Sequence, residues 1–259
     1  MVFLFDVDGT LTPPRQSMSA EMSEVFGELV RDNIVFLASG SDLNKIKEQV
    51  PAELLYQCKG IFSCSANQFH IKDQLQYENQ FIPEEKLVGQ LEKLLTTSKY
   101  PVRTGNHIEY RPGMLNFSIV GRNATTDERE QYFKWDEKEQ ERKRMAILLM
   151  ACQPGIDIKI GGQISIDIYP HGYDKSQAVS YLKEHYPEEP IYFFGDRTDE
   201  HGNDYSAAQA MGKTDEVFAV RNCYKTQEIL KFFLKGGDLC LMMKNKKAKN
   251  NKTLNYSNL

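Results

Sequence analysis

The first carboxylates in the chain carry its most specific chemistry. Asp6-Val7-Asp8-Gly9-Thr10-Leu11-Thr12 follows the apolar run Val2-Phe3-Leu4-Phe5. Such a run suits a buried strand, and the glycine suits the loop after it. In open parallel sheets, ligands bind beyond the carboxyl ends of the strands. Carboxylates at i and i+2 share one face while the backbone stays extended. Alone they repel, and one pKa rises. A hard cation such as Mg2+ relieves that repulsion, because it takes oxygen ligands and keeps waters or phosphate as the others. Gly9 and Thr10 permit a tight turn whose N–H groups can face a phosphate. The string therefore reads as a metal-assisted phosphate loop, and not as a surface pair of aspartates.

The elements around it follow an α/β plan. Ser19 heads a helical pattern with Met22, Val25, Phe26, Leu29 and Val30 on one face. Ile34–Ala38 is a second buried strand, and Ser39-Gly40-Ser41-Asp42 opens another helix. Strand, helix, strand, helix implies a parallel sheet with right-handed crossovers. Short strands then fall at 61–63 and 68–71, and a helix starts at Pro83. Tyr100–Arg111 and Leu115–Gly121 read as antiparallel strands joined through Pro112-Gly113. Thr126–Cys152 reads as helix with a break near Trp135, and 156–169 as a hairpin turning at Gly161-Gly162. Helix and strand then alternate again from Asp174 to Leu234. An α+β module of roughly 90 residues is thus inserted into an α/β domain.

Composition sets the limits. The chain has 259 residues, 41% hydrophobic and 26% charged, with formal net charge −4. That describes a folded globular protein and argues against a nucleic-acid coat. No run approaches a membrane span. The five cysteines, Cys58, Cys64, Cys152, Cys223 and Cys240, contain no CxxC pair and suit a reduced, cytoplasmic setting. His70, His107, His171, His185 and His201 form no ligand pattern. The last 25 residues hold six Lys and one Asp, a local +5, so the rest of the chain carries −9. That segment reads as a disordered basic tail.

Asp6-to-Thr12 and the pieces downstream resemble the haloacid dehalogenase superfamily of aspartate-dependent phosphotransferases. The resemblance implies a Rossmann-like parallel-sheet core with an inserted α+β cap. It implies Asp6 as nucleophile and Asp8 as acid and base. Lys175, in Gly172-Tyr173-Asp174-Lys175, would offset the phosphoaspartate charge. Mg2+ would sit between Asp6, the backbone carbonyl of Asp8, and Asp196 of Phe194-Gly195-Asp196. Gly202-Asn203-Asp204 continues that acidic motif. The hydroxyl after the second strand is Ser39 or Ser41.

The inserted block resembles eukaryotic-type phosphomannomutase more narrowly. Its strings are Ile108-Glu109-Tyr110-Arg111-Pro112-Gly113-Met114-Leu115-Asn116, Ile119-Val120-Gly121-Arg122, Asp127-Glu128-Arg129 and Gly161-Gly162-Gln163-Ile164-Ser165-Ile166-Asp167. Pro14-Arg15-Gln16 and Tyr192–Thr198 also fit. The resemblance implies interconversion of mannose 6-phosphate and mannose 1-phosphate through a hexose 1,6-bisphosphate, which also serves as activator. Arg111, Arg122 and Arg129 would form the cap phosphate site, with Arg15 reaching from the core, and Ser165 and Asp167 would bind sugar hydroxyls. Arginine suits that task because its planar fork binds phosphate bidentately and stays charged. The implied division is core 1–80, cap 81–171, core 172–235 and tail 236–259. A homodimer through the cap is implied by the family. A Mg2+-dependent sugar-phosphate phosphatase on the same scaffold is the alternative. Ser63-Cys64-Ser65-Ala66-Asn67-Gln68 replaces the family's usual Glu-Asn-Gly stretch.

Overall fold

A computed structural model describes residues 1–200, 202–239 and 241–242. It contains two sheets. Strands β1 (Val2–Phe5), β2 (Ile34–Ala38), β3 (Gly60–Ser63), β4 (Gln68–Ile71), β5 (Gln74–Glu78), β10 (Ile191–Gly195) and β11 (Glu216–Ala219) form the larger one, in the order β11-β10-β1-β2-β3-β4-β5. From β11 to β3 the pairing is parallel, and β4 and β5 add an antiparallel edge. The smaller sheet is antiparallel, with β6 (Ile108–Arg111), β7 (Met114–Ser118), β9 (Ser165–Pro170) and β8 (Ile156–Gly161) in that order.

Helices cover both faces of the larger sheet, which is why β1 is buried throughout. On one face α1 (Ala20–Asp32) and α9 (Cys223–Leu234) pack Met22, Phe26, Leu29, Ile229 and Leu230 against Phe3 and Phe5. Ser19 caps α1 by accepting from the Met22 N–H at 3.1 Å. On the other face α7 (Ser176–His185) and α8 (Tyr205–Ala210) meet Val2, Leu4, Phe36 and Phe193. Each such apolar side chain contributes roughly 1.5–3 kcal/mol by leaving water. After β2 come α2 (Leu43–Gln49) and α3 (Ala52–Gln57).

The smaller sheet is covered on one face by α4 (Glu85–Thr97), α5 (Thr126–Glu139) and α6 (Glu141–Cys152). Its strands alternate. Leu115, Phe117, Ile166 and Ile168 face those helices. Their neighbours point to the opposite face, where Glu109, Asn116, Asp167 and Lys159 stand in one row across the four strands. The chain passes between the sheets at 79–84 and 171–175.

Three features differ from the sequence reading. The strand expected over Tyr100–Arg111 is regular only over 108–111, because Pro101 and Gly105 (φ +70°) interrupt the approach. The long helix breaks at Gln140, not near Trp135, and Gln140 is left-handed at φ +54°. The fold also continues past Lys235, since Leu239 is buried in the α1/α9 core and Met242 packs beside it. Burying Leu239 contributes roughly 1.5–3 kcal/mol toward holding this segment on the core. The rest of the expected tail, 243–259, lies outside the described residues, as do His201 and Cys240.

Candidate active site

Asp6 lies one residue past β1, where its N–H still pairs with Phe194 O at 2.9 Å. The chain then turns on one carbonyl. Val7 O accepts from the N–H groups of Thr10, Leu11 and Thr12 at 3.2, 2.9 and 3.0 Å. Gly9 sits in that turn at φ +87°, and a Cβ there would lie 2.5 Å from Asp196 Oδ2. Only glycine fits both the dihedral and the approach.

The turn sends the two aspartates to different partners. Asp8 Oδ1 accepts from Gln49 Nε2 and from the Arg15 N–H, both at 2.8 Å. Its Oδ2 accepts from Ser41 Oγ at 3.2 Å. Of the two serines, Ser41 touches the carboxylate, while Ser39 Oγ accepts from the Ser41 N–H at 3.1 Å. Asp6 instead meets Lys175. The fully buried Lys175 Nζ donates to Asp6 Oδ1 at 2.5 Å and to Asp204 Oδ1 at 2.6 Å. Asp204 Oδ2 accepts from the Arg197 N–H at 3.0 Å.

Asp6, Asp196 and Asp204 can each offer an oxygen within 4.8 Å of the others. Their charge is not balanced by Lys175 alone. Burial pushes the Asp6 carboxyl well above the usual carboxylate range; Lys175 pulls it back, while Asp204 and Asp196 add to the rise. Burial and then Asp204 push Asp196 up to about 7. Lys175 moves upward despite its burial, because Asp204 and Asp6 hold its proton. Crowded oxygen donors with a deficit of positive charge fit a hard divalent cation. The Thr10 hydroxyl is buried here without a protein partner, so a polar ligand or water would complete it.

A cavity of about 840 Å³ separates these carboxylates from a group of arginines on the smaller sheet. Asp6, Asp8 and Asp196 line one side, and Arg111, Arg122, Arg129, Ser165 and Asp167 the other, with Arg15 exposed at the rim. Lys175 lies beneath Asp6. All ten residues expected from the sequence are thus brought together. Their engagements differ. Arg129 donates to Ala124 O at 2.8 Å and Arg122 O at 2.6 Å, so it braces the Arg122 backbone. Arg122 donates from Nε to Glu109 Oε2 at 3.0 Å. Arg111 forks onto the same Glu109 oxygen and reaches Gly40 O with Nη1 at 2.8 Å. Asp167 accepts from Asn116 Nδ2 at 2.5 Å, and Ser165 Oγ donates to Gly161 O at 3.1 Å. Burial, then Arg111 and Arg15, push the Arg122 guanidinium downward. A phosphate dianion would reverse that crowding.

The comparisons with known proteins meet this geometry. A profile of the eukaryotic phosphomannomutase family matches residues 22–235. A phosphomannomutase of Dendrobium officinale is 37% identical over 213 residues, covering 79% of this chain and 83% of its own. Phosphomannomutase 2 of Dictyostelium discoideum is 34% identical over 247 residues, covering 90% and 97%. This chain belongs to the eukaryotic phosphomannomutase family. Solved structures share the fold of this phosphomannomutase-family chain at much lower identity. An IMP-nucleotidase of Plasmodium falciparum aligns with a TM-score of 0.62 at 13% identity, over 89% of this chain and 67% of that one. A haloacid dehalogenase subclass IIB sugar phosphatase aligns at 0.56 and 14%, over 90% and 98%. The α/β core therefore shares its fold with these two proteins.

Three residues of this phosphomannomutase-family site stood outside the expected set. Asp204 closes the Lys175 cluster, and its signal was the Gly202-Asn203-Asp204 string. Gln49 reaches Asp8 from the buried side of α2, and nothing in its sequence surroundings marks it. Glu109 lay within the string Ile108-Glu109-Tyr110-Arg111 but was overshadowed by the arginine. None of His70, His107, His171 and His185 lines the cavity. No described helix is long and apolar enough to cross a membrane.

Proposed function

We propose that this chain is a phosphomannomutase that interconverts mannose 6-phosphate and mannose 1-phosphate. The supporting observation is an arginine group facing a lysine-braced carboxylate group across one cavity large enough for a hexose bisphosphate. Residues 1–80 and 172–235 would be the core and 81–171 the cap, with substrate between them.

The surroundings of these residues support the task proposed for each. Asp6 is the nucleophile, since Lys175 keeps its oxygen beside a positive charge that also offsets a phosphoryl group on it. A bound hexose 1,6-bisphosphate gives one phosphoryl group to Asp6 and leaves as a hexose monophosphate. The phosphoaspartate then transfers its phosphoryl group to the hydroxyl of an incoming hexose monophosphate. Asp8 takes the proton of that hydroxyl and returns it on the reverse transfer. Gln49, Ser41 and the Arg15 N–H hold its carboxylate still. The bisphosphate reorients and its other phosphoryl group returns to Asp6. Arg122 and Arg15 hold the non-reacting phosphate, with Arg111 and Arg129 fixing the surface behind them. Ser165 and Asp167 bind sugar hydroxyls. Asp6, Asp196, Asp204 and the Asp8 carbonyl would hold Mg2+, which when bound neutralises charge on the transferring phosphoryl group. We further propose a cytoplasmic homodimer joined through the cap.

The test is an assay of both directions, with and without hexose 1,6-bisphosphate. The expected result is interconversion that depends on the bisphosphate. Release of free phosphate without interconversion would instead make the chain a sugar-phosphate phosphatase.

A further inference from the structure

Glu109 sits where the two layers meet. Its Oε2 accepts from Arg111 and Arg122, both on the smaller-sheet layer. Its Oε1 accepts from Lys45 Nζ at 2.9 Å, and Lys45 belongs to α2 of the larger layer. Asp42, the N-cap of α2, holds the same ammonium at 2.8 Å. One carboxylate thus joins three cations from two layers.

The other end of Arg111 leads to the acid and base. Three successive carbonyls of the loop after β2 are each tied down. Ser39 O accepts from the Ser65 N–H and Ser41 O from the Cys64 N–H, each at 2.9 Å. Gly40 O accepts from Arg111 Nη1 at 2.8 Å. Two of these donors come from the larger layer itself, and the middle one comes from across the cavity. The same loop presents Ser41 Oγ to Asp8. A continuous path therefore runs from Glu109 through Arg111 and Gly40 to Ser41 and Asp8. Any separation of the layers breaks the Lys45–Glu109 and Arg111–Gly40 contacts together.

We infer that Glu109 is a positioning residue that couples closure of the smaller layer to the placement of Asp8, acting through Arg111 and Lys45. This deepens the mutase reading and rests on it. Without Glu109 the Arg111 fork loses its anchor and Gly40 O loses its fixed donor. The phosphate arginines, freed from a competing anion, still bind phosphate.

The experiment compares Glu109→Gln, Lys45→Met and the double variant with the wild-type chain, in turnover and in amide hydrogen exchange at 39–41. The expected kcat falls on the order of tenfold or more for Glu109→Gln, with KM for the sugar phosphate not raised. Lys45→Met loses the cross-layer arm and the Asp42 pair but keeps the Glu109–Arg111 fork, and falls less. The double variant is no worse than Glu109→Gln, because both act on one path. Exchange at 39–41 quickens in both single variants. A raised KM with unchanged kcat, unchanged exchange at 39–41, or additive effects would overturn the inference. Should Glu109→Gln fail to fold, Lys45→Met decides by the same kcat and exchange readouts. If the wild-type chain shows no interconversion, the mutase reading fails, while exchange at 39–41 still decides the coupling.

Discussion

Lys175 Nζ stands 2.5 Å from Asp6 Oδ1, and neither side chain has more than a trace of contact with solvent. Lys175→Met would leave Asp6 and Asp204 without the cation they share, with Arg197 Nε 3.8 Å from Asp196 Oδ2 as the charge beside the cluster. Breaking a buried pair in this way costs about 3–5 kcal/mol. The variant is expected to unfold at lower denaturant, with part of the loss recovered by Mg2+, and to lose turnover. Denaturant melts with and without Mg2+ check this. Unchanged stability would mean that the cluster holds fewer charges than its geometry implies.

Asp8→Asn should leave the fold intact, since the amide oxygen still accepts from Gln49 and the Arg15 N–H. Removing the proton carrier is expected to lower kcat by about 10²–10⁴-fold. Thermal melting and steady-state kinetics on one preparation separate the two effects.

Arg122 and Arg129 are expected to behave differently. Arg122→Gln removes a phosphate-facing fork and should cut interconversion on the order of a hundredfold, with hydrolysis affected less. Arg129→Gln removes the donors to Ala124 O and Arg122 O, so it should also lower the melting temperature. Equal melting temperatures for the two variants would contradict this division.

The Glu109 carboxyl gives a signed pH effect. Burial raises its pKa, but Arg111, the Lys45 hydrogen bond and Arg122 outweigh that and hold it at about 2, against an ordinary 4.5. A depressed carboxyl pKa adds stability above the unfolded value, and that stability is lost as pH falls through the folded value. The stability gap between wild type and Glu109→Gln should therefore be constant above about pH 4.5 and shrink toward pH 2. Denaturant melts across that range measure it. A gap independent of pH would show that Glu109 acts by shape alone.

The hairpin between β4 and β5 offers a test without chemistry. Its two turn residues, Lys72 and Asp73, sit at φ +48° and +66°. Such a turn favours glycine at the second position. The Asp73–Lys47 ion pair is exposed and worth little. Asp73→Gly should raise stability by roughly 0.5–1 kcal/mol, read as a higher melting temperature at unchanged activity.

Local patterns were legible and long-range ones were not. The five buried positions of α1 follow from their spacing, and Asp6 follows from a strand that must end. The arginines were legible only through strings resembling a family, because an isolated arginine has no period. The break at Gln140 left no mark, since neither Gly nor Pro stands there. Gln49 on Asp8 and Lys45 on Glu109 span 41 and 64 residues. No periodicity encodes such meetings. The first forms once α2 packs back on the larger sheet, the second only once the two separately patterned sheets come face to face, and that is also why the sequence marks Arg111 as a phosphate ligand and not as a tie to Gly40.

Leu239 sets a practical limit on where the protein can be shortened. Its side chain is buried in the core that α1 and α9 help to build, from beyond the Gly236 turn. A chain stopped at Lys235 removes Leu239 and Met242 from that core and leaves apolar surface open to water, which favours self-association during expression. Handles for purification or immobilisation therefore belong after Met242.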